Sequence, residues 1–204
     1  MKWLRKLYDW VLHWALTPYG LIALFVCSFV EASFFPIPPD PLLIALILGL
    51  RKKAFKFATY CIIASTLGGI FGYAIGHFIW WSGNNEFTSV AWFFFNNIPG
   101  FTPSVFSDMK VLYEEWNFWI IFAAGFTPIP FKVFTISAGA FEINFILFTI
   151  AALLGRTARF MLVAWLIWKY GEQIRKFIDK YFNWLAIAFT VLLIGGFVVI
   201  KYLI

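Results

Sequence analysis

Two proline-broken apolar stretches constrain this chain more than any other feature. Phe35-Pro36-Ile37-Pro38-Pro39-Asp40 interrupts the first, and Thr127-Pro128-Ile129-Pro130-Phe131-Lys132 interrupts the second about 90 residues later. In each, a charge follows the Pro-Ile-Pro within two residues, Asp40 in one copy and Lys132 in the other. Proline removes a backbone donor and clashes with the preceding turn, so a regular helix does not run through either motif. Irregular backbone at membrane depth survives only where protein covers it or it lines a wet cavity. Paired, interrupted apolar segments at matching positions point to a transporter-like binding site.

The rest of the composition places these motifs in lipid. Hydrophobic residues make up 62% of the 204 residues and charged ones 13%, with a mean hydropathy of +0.83. Soluble globular domains are not composed this way, and the apolar runs are long enough for a hydrocarbon core of about 30 Å. An all-α, multi-pass integral membrane protein with one membrane domain, in a cytoplasmic (inner) membrane, is expected. The net charge of +6 is spread over short loops, which suits membrane orientation and argues against nucleic acid as a partner. Cys27 and Cys61 each lie inside an apolar run and read as inert core residues, without a disulfide or a metal.

The basic residues supply a topology. Residues 1–18 read as an amphipathic helix on the cytoplasmic membrane surface, with Trp3, Leu7, Trp10, Val11 and Trp14 on one face. They carry no secretory cleavage site. Lys2, Arg5 and Lys6 precede the apolar stretch 19–50, and Arg51, Lys52, Lys53 and Lys56 follow it. A single crossing would put these flanks on opposite sides, against the tendency of cations to stay cytoplasmic. A re-entrant hairpin keeps them together and is the preferred reading, with one crossing as the alternative. Residues 57–81 then span the membrane. Segment 82–116, with Lys110 against Glu86, Asp108, Glu114 and Glu115, reads as an external loop bearing short interfacial helices. A second re-entrant hairpin over 117–141, a spanning helix over 144–168 and a terminal spanning helix over 184–200 complete the chain. The whole is an inverted repeat of hairpin plus transmembrane helix.

Ionisable residues at membrane depth are functional candidates by default. They are Glu31, Asp40, Lys132, Arg156 and Arg159, with His77 nearer a helix end. Arg156 and Arg159 share a helix face at i, i+3 spacing. If the hairpin tips meet, three cations and two carboxylates leave one surplus positive charge, and arginine's planar fork suits phosphate. Arg156, Arg159 and Lys132 would then hold an anionic headgroup, with Glu31 and Asp40 serving proton coupling or charge balance. The competing reading is structural: permanent pairs between these arginines and carboxylates pin the fold, and Lys132 snorkels to the interface. His77 reads as structural. Pro36, Pro38, Pro39, Pro128 and Pro130 form the breaks. Gly68, Gly72 and Gly76 repeat at i+4, a stripe for close helix packing.

Three of these segments carry a resemblance. Glu31-Ala-Ser-Phe-Phe-Pro-Ile-Pro-Pro-Asp40, the run from Gly125 to Phe141, and Gly155-Arg-Thr-Ala-Arg-Phe160 resemble the DedA family of bacterial membrane proteins, also called the VTT or SNARE-associated domain family, and most closely its YqaA-type branch. The resemblance spans roughly 20–175. It implies two inward-pointing re-entrant hairpins with spanning helices, roles in membrane homeostasis, and movement of lipids such as undecaprenyl phosphate or phospholipids by flippase or scramblase action. One departure stands out. Many members carry Arg-Phe-x-Pro-x-x-Arg at the second break, whereas here Gly125 and Phe131 occupy the arginine positions and Lys132 follows one place later.

A transporter or scramblase for an anionic lipid is therefore expected, with membrane lipids as partners and no cofactor. A proton-coupled ion or small-solute transporter and a non-transporting scaffold are the alternatives. No phosphate loop, zinc-binding helix or nucleophile elbow is present, so no enzyme is expected. The sequence leaves homo-oligomerisation open.

Overall fold

The computed structural model describes residues 19–34, 38–82, 86–97, 102–127, 129–171 and 173. The expected surface helix over 1–18 and spanning helix over 184–200 lie outside the described residues, as do Pro36 and Pro128. The described chain is helical, with one isolated β-bridge between Trp81 and Phe87. Helix α1 covers Gly20–Ser33 and α2 Asp40–Gly49. A 3-10 turn, Arg51–Lys53, leads into α3, Ala54–Trp80. Then come α4 (Ser89–Asn97), α5 (Pro103–Phe126), α6 (Phe131–Ala140) and α7 (Phe145–Gly171).

The prolines place the helix ends. Helix α1 stops ahead of the first motif. Pro39 is the N-cap of α2, with Pro41 in the first turn, where a missing N–H costs nothing. Asp40 opens α2, and its carboxylate suits the positive end of the helix dipole. Pro130 likewise caps α6. At 14, 10 and 10 residues, α1, α2 and α6 extend about 21, 15 and 15 Å, too short to cross a 30 Å core. Helices α3 and α7 are long and apolar enough to cross one.

The two helices on either side of each break fold back on each other. Ser28 and Phe29 of α1 meet Cys61 and Gly68 of α3, so α1 runs parallel to α3, and α2 returns toward the start of α3. Leu24, at the beginning of α1, shares a cluster with Ile47 of α2 and Phe57 of α3. Helix α6 returns along α5: the Tyr113 hydroxyl donates to the Phe134 carbonyl at 2.9 Å, and the Phe106 and Phe141 rings lie 4.8 Å apart. Helices α3 and α7 run antiparallel, with Tyr73 against Ile143 and Phe148 at one end and Phe55 against Trp168 at the other.

The segment 82–116 differs from the expected external loop. Its second half is the start of α5, a continuous 24-residue helix. Thr102 caps it by accepting from the Val105 N–H, and Pro103 starts it. Phe106, Tyr113, Ile121 and Ala124 are buried along one side, while Asp108, Glu114 and Glu115 stay exposed. The charges that suggested a loop are the outer face of an amphipathic helix.

Small residues set the helix spacing. A Cβ on Gly68 would collide with the Phe29 carbonyl of α1, and one on Gly72 with Thr135 of α6. Where α3 crosses α6, Gly76 lies against the backbone of Ile136 and Ala140, and Gly139 against that of Tyr73 and His77. Gly155 packs against Phe122 of α5, as Gly68 packs against Phe29. Phe29 and Phe122 each stand six or seven residues before the first proline of their break.

The apolar interior is divided. One cluster gathers α1, α2, the first half of α3 and the last half of α7. The other gathers α4, α5, α6, the far end of α3, the start of α7 and Ala32 at the end of α1. On α7 the two meet between Ala152 and Phe160, and on α3 between Ile62 and Tyr73.

Candidate functional site

The charged residues lie along this division. Gly155, Arg156 and Arg159 occupy the α7 boundary, and Ser65, Thr66 and the glycines occupy the α3 boundary. Both arginines fall near the middle of a helix about 40 Å long.

Arg156 Nη2 donates to Glu31 Oε2 at 2.9 Å, joining α7 to the end of α1. Its guanidinium lies 4.1 Å from the centre of the Phe131 ring and 5.6 Å from that of Phe160. Weakly hydrated and planar, a guanidinium tolerates such a sandwich better than an ammonium does. Arg156 is 2% exposed, and the Glu31 side chain keeps 14% of its surface, so the arginine is sealed while its partner is partly open.

Arg159 joins both breaks. Its Nη2 donates to Asp40 Oδ2 at 2.9 Å, and its Nη1 donates to the Thr127 carbonyl. Thr127 is the C-cap of α5. The terminating prolines leave its carbonyl without a helical donor, and the arginine fills that role. The side chains of Arg159 and Asp40 keep 15% and 25% of their surface, so water reaches this pair more readily than the first.

Three further features complete the cluster. The Thr135 hydroxyl of α6 points to the Ala32 carbonyl of α1 at 3.1 Å and to its own helix's Lys132 carbonyl at 3.0 Å. Lys132 is half-buried and has no ion pair among the described residues. The Nε atoms of both arginines and the hydroxyls of Ser65 and Thr66 are buried without a hydrogen-bond partner among the described residues. Buried donors in this state are uncommon. The cluster thus holds three cations, two carboxylates and unused hydrogen-bonding capacity.

Of the residues expected at the site, Glu31, Asp40, Arg156 and Arg159 come together as two pairs, with Pro39 buried at the first break. Pro38 and Pro130 flank the two breaks. His77 is elsewhere. It lies 3.7 Å from Glu142, which also sits 3.9 Å from Lys110, at the turn between α6 and α7. Cys27 and Cys61 are free thiols, and Cys61 accepts from Ser28 at 3.3 Å. Sequence reasoning missed the Thr127 carbonyl, the Phe131 and Phe160 rings and Thr135. Phe160 stands at i+4 from Arg156, a spacing that could have revealed it. At Gly125, α5 packs against Gly155, and an added Cβ would lie 3.3 Å from the Gly155 Cα.

Fold and site define an all-helical protein with two helices able to cross a bilayer and a buried charge cluster where two helical hairpins meet. An uncharacterized protein of Haemophilus influenzae is 36% identical over 206 residues, covering 94% of this chain and 96% of the relative. A homologue from Histophilus somni, also uncharacterized, is 33% identical over 205 residues with the same coverage. The chain belongs to the family of these two proteins. No family model matches it, and no solved structure does.

Proposed function

We propose that this chain is a multi-pass membrane protein that translocates an anionic lipid, a polyprenyl phosphate or a phospholipid, at the charge cluster. The single observation that carries this reading is Arg159, hydrogen-bonded at once to Asp40 at one break and to the Thr127 carbonyl at the other. Both proline breaks therefore converge on one cationic helix face. Antiparallel α3 and α7, each following a proline-broken helical hairpin and each packing on it through a glycine, support an inverted repeat of hairpin and spanning helix. The resemblance to the DedA family agrees with it.

The arrangement suggests how binding and protonation are linked. With both carboxylates charged, each arginine is engaged and only Lys132 is free to meet an anion. A proton on Glu31 or Asp40 releases guanidinium hydrogen bonds, and a phosphate takes them up as a bidentate partner. Proton and anion then stabilise one another's binding, and by linkage the anion binds more tightly as pH falls. The lipid tails stay in the bilayer while the headgroup visits the cluster.

The test is lipid translocation in reconstituted vesicles, comparing the native chain with Arg156→Ala and Glu31→Gln at equal folded protein. Slower transport in both is expected, and unchanged rates in both remove these residues from the mechanism.

A second reading is favoured by one observation: Arg156 is sealed and already paired. In it the charges clasp a non-transporting scaffold. It predicts that the exchange Glu31→Arg with Arg156→Glu restores function in cells, whereas a transport site needs each charge where it is.

A further inference from the structure

The region where α3 begins and the Trp165–Gly171 part of α7 lies carries a second group of cations, separate from the charge cluster. Arg51, Lys52, Lys53 and Lys56 are exposed there. Arg51 Nη2 donates to the Trp168 carbonyl at 2.7 Å, a contact between residues 117 apart. A Cβ on Gly171 would approach the Arg51 guanidinium to 3.2 Å, so this glycine leaves the arginine room to lie against α7. The contact brings Lys169 to the same end as the 51–56 run. None of these five cations has an ion-pair partner among the described residues.

Large apolar side chains surround them. Phe55, Trp165, Trp168 and Tyr170 are each more than 40% exposed. The Phe55 and Trp168 rings meet at 6.0 Å, and Lys169 Nζ lies 5.1 Å from Trp165 and 5.2 Å from Tyr170. A soluble polyanion would satisfy the charges and leave the rings in water. An amphiphile with a negative headgroup satisfies both, because aromatic rings settle at the interface while cations meet phosphate. Position agrees. Lys169 stands ten residues beyond Arg159 on α7, about 15 Å along the axis, which is half the thickness of a hydrocarbon core. If the arginines sit at the midplane, Lys169 is at headgroup level.

We infer that Arg51, Lys52, Lys53, Lys56 and Lys169, ringed by Phe55, Trp165, Trp168 and Tyr170, form an interfacial site that selects glycerophospholipids with a negative headgroup. This inference rests on the membrane reading above but not on translocation. The site holds lipid beside the protein, at a distance from the charge cluster.

The test uses the full chain in vesicles of equal phosphatidylglycerol and phosphatidylcholine. Alkaline carbonate washing comes first: release from the vesicles overturns the membrane reading and this inference with it. The retained protein is then extracted in mild detergent and its co-purifying lipids are quantified. Phosphatidylglycerol enriched about threefold or more over the vesicle ratio is expected, falling toward that ratio in the triple variant Lys52→Gln, Lys53→Gln, Lys56→Gln and at high salt. Lys169→Gln alone lowers the enrichment in part, because the structure places it in the same patch. These lysines are exposed and outside the charge cluster, so thermal unfolding stays unchanged. Equal retention of the two lipids by the native chain, or enrichment that survives both variants, overturns the site while leaving the membrane reading intact.

Discussion

Thr135 and Ala32 stand 103 residues apart and are joined by a hydroxyl-to-carbonyl hydrogen bond of 3.1 Å. It ties α6 to the last turn of α1, where the first break frees carbonyls from their helical donors. Replacing the hydroxyl by a methyl keeps the shape and abandons the acceptor. Thr135→Val is expected to cost about 1–3 kcal/mol, since a buried acceptor is left unsatisfied. Thr135→Ser keeps the donor and loses less. Chemical unfolding of the two variants in the same detergent checks the order.

Crowding gives a second expectation. A Cβ at Gly139 would run into the backbone of Tyr73 and His77, whereas one at Gly49 meets nothing within 4 Å. Gly139→Ala forces α6 away from α3 at a cost of about 1–3 kcal/mol or more. Gly49→Ala is neutral or stabilising by up to about 1 kcal/mol, because it removes freedom from the unfolded chain. Paired melting curves that rank them the other way contradict the close approach of α3 and α6.

The pair of buried Arg156 with mostly buried Glu31 is expected to be costly to break and cheap to delete. Arg156→Met alone leaves a mostly buried carboxylate without its partner, and the loss is expected at or below the about 3–5 kcal/mol of a fully buried pair. Adding Glu31→Gln recovers much of that. A double-mutant cycle reads the coupling directly. The same cycle on Arg159 and Asp40 should give a smaller coupling, because water reaches that pair.

Glu142 adopts φ 56°, the left-handed region. It closes α6 with the Ile143 N–H bonded to the Ala138 carbonyl and the Glu142 N–H to that of Gly139, a position where glycine is usual. Glu142→Gly removes that strain together with two half-exposed pairs, to His77 and Lys110, that contribute little. The net change in stability is expected within about 1 kcal/mol of zero. A loss of several kcal/mol in thermal unfolding shows that the pairs matter more than their exposure suggests.

Topology is testable by labelling. In a background with Cys27 and Cys61 replaced by Ala, Lys52→Cys is expected to react from the cytoplasmic side and Asn97→Cys from the opposite side. Reaction of both from one side rules out α3 as a spanning helix.

Much of the site was legible because its signals are local. Prolines in an apolar stretch mark a break, and arginines at i, i+3 must face the same way, so a meeting of Glu31, Asp40, Arg156 and Arg159 was expected on the condition that the two breaks come together. The glycine stripe was legible as packing for the same reason. Which arginine takes which carboxylate was not, since both lie on one face and the choice depends on the three-dimensional offset of the hairpins. The Thr127 carbonyl was invisible because a backbone acceptor has no sequence signature until a helix end is fixed. The α5 boundary was misplaced because acidic residues on the exposed side of an amphipathic helix read as a loop when charge alone is counted.

The division of the interior sets how this protein can deform. Between the two hydrophobic halves lie guanidinium groups, carboxylates, hydroxyls and glycine backbones. Sliding one half past the other there exchanges polar contacts for polar contacts and strips little oil-like surface of cover. The seam is thus the place where relative movement of the two halves would disturb polar contacts more than apolar cover.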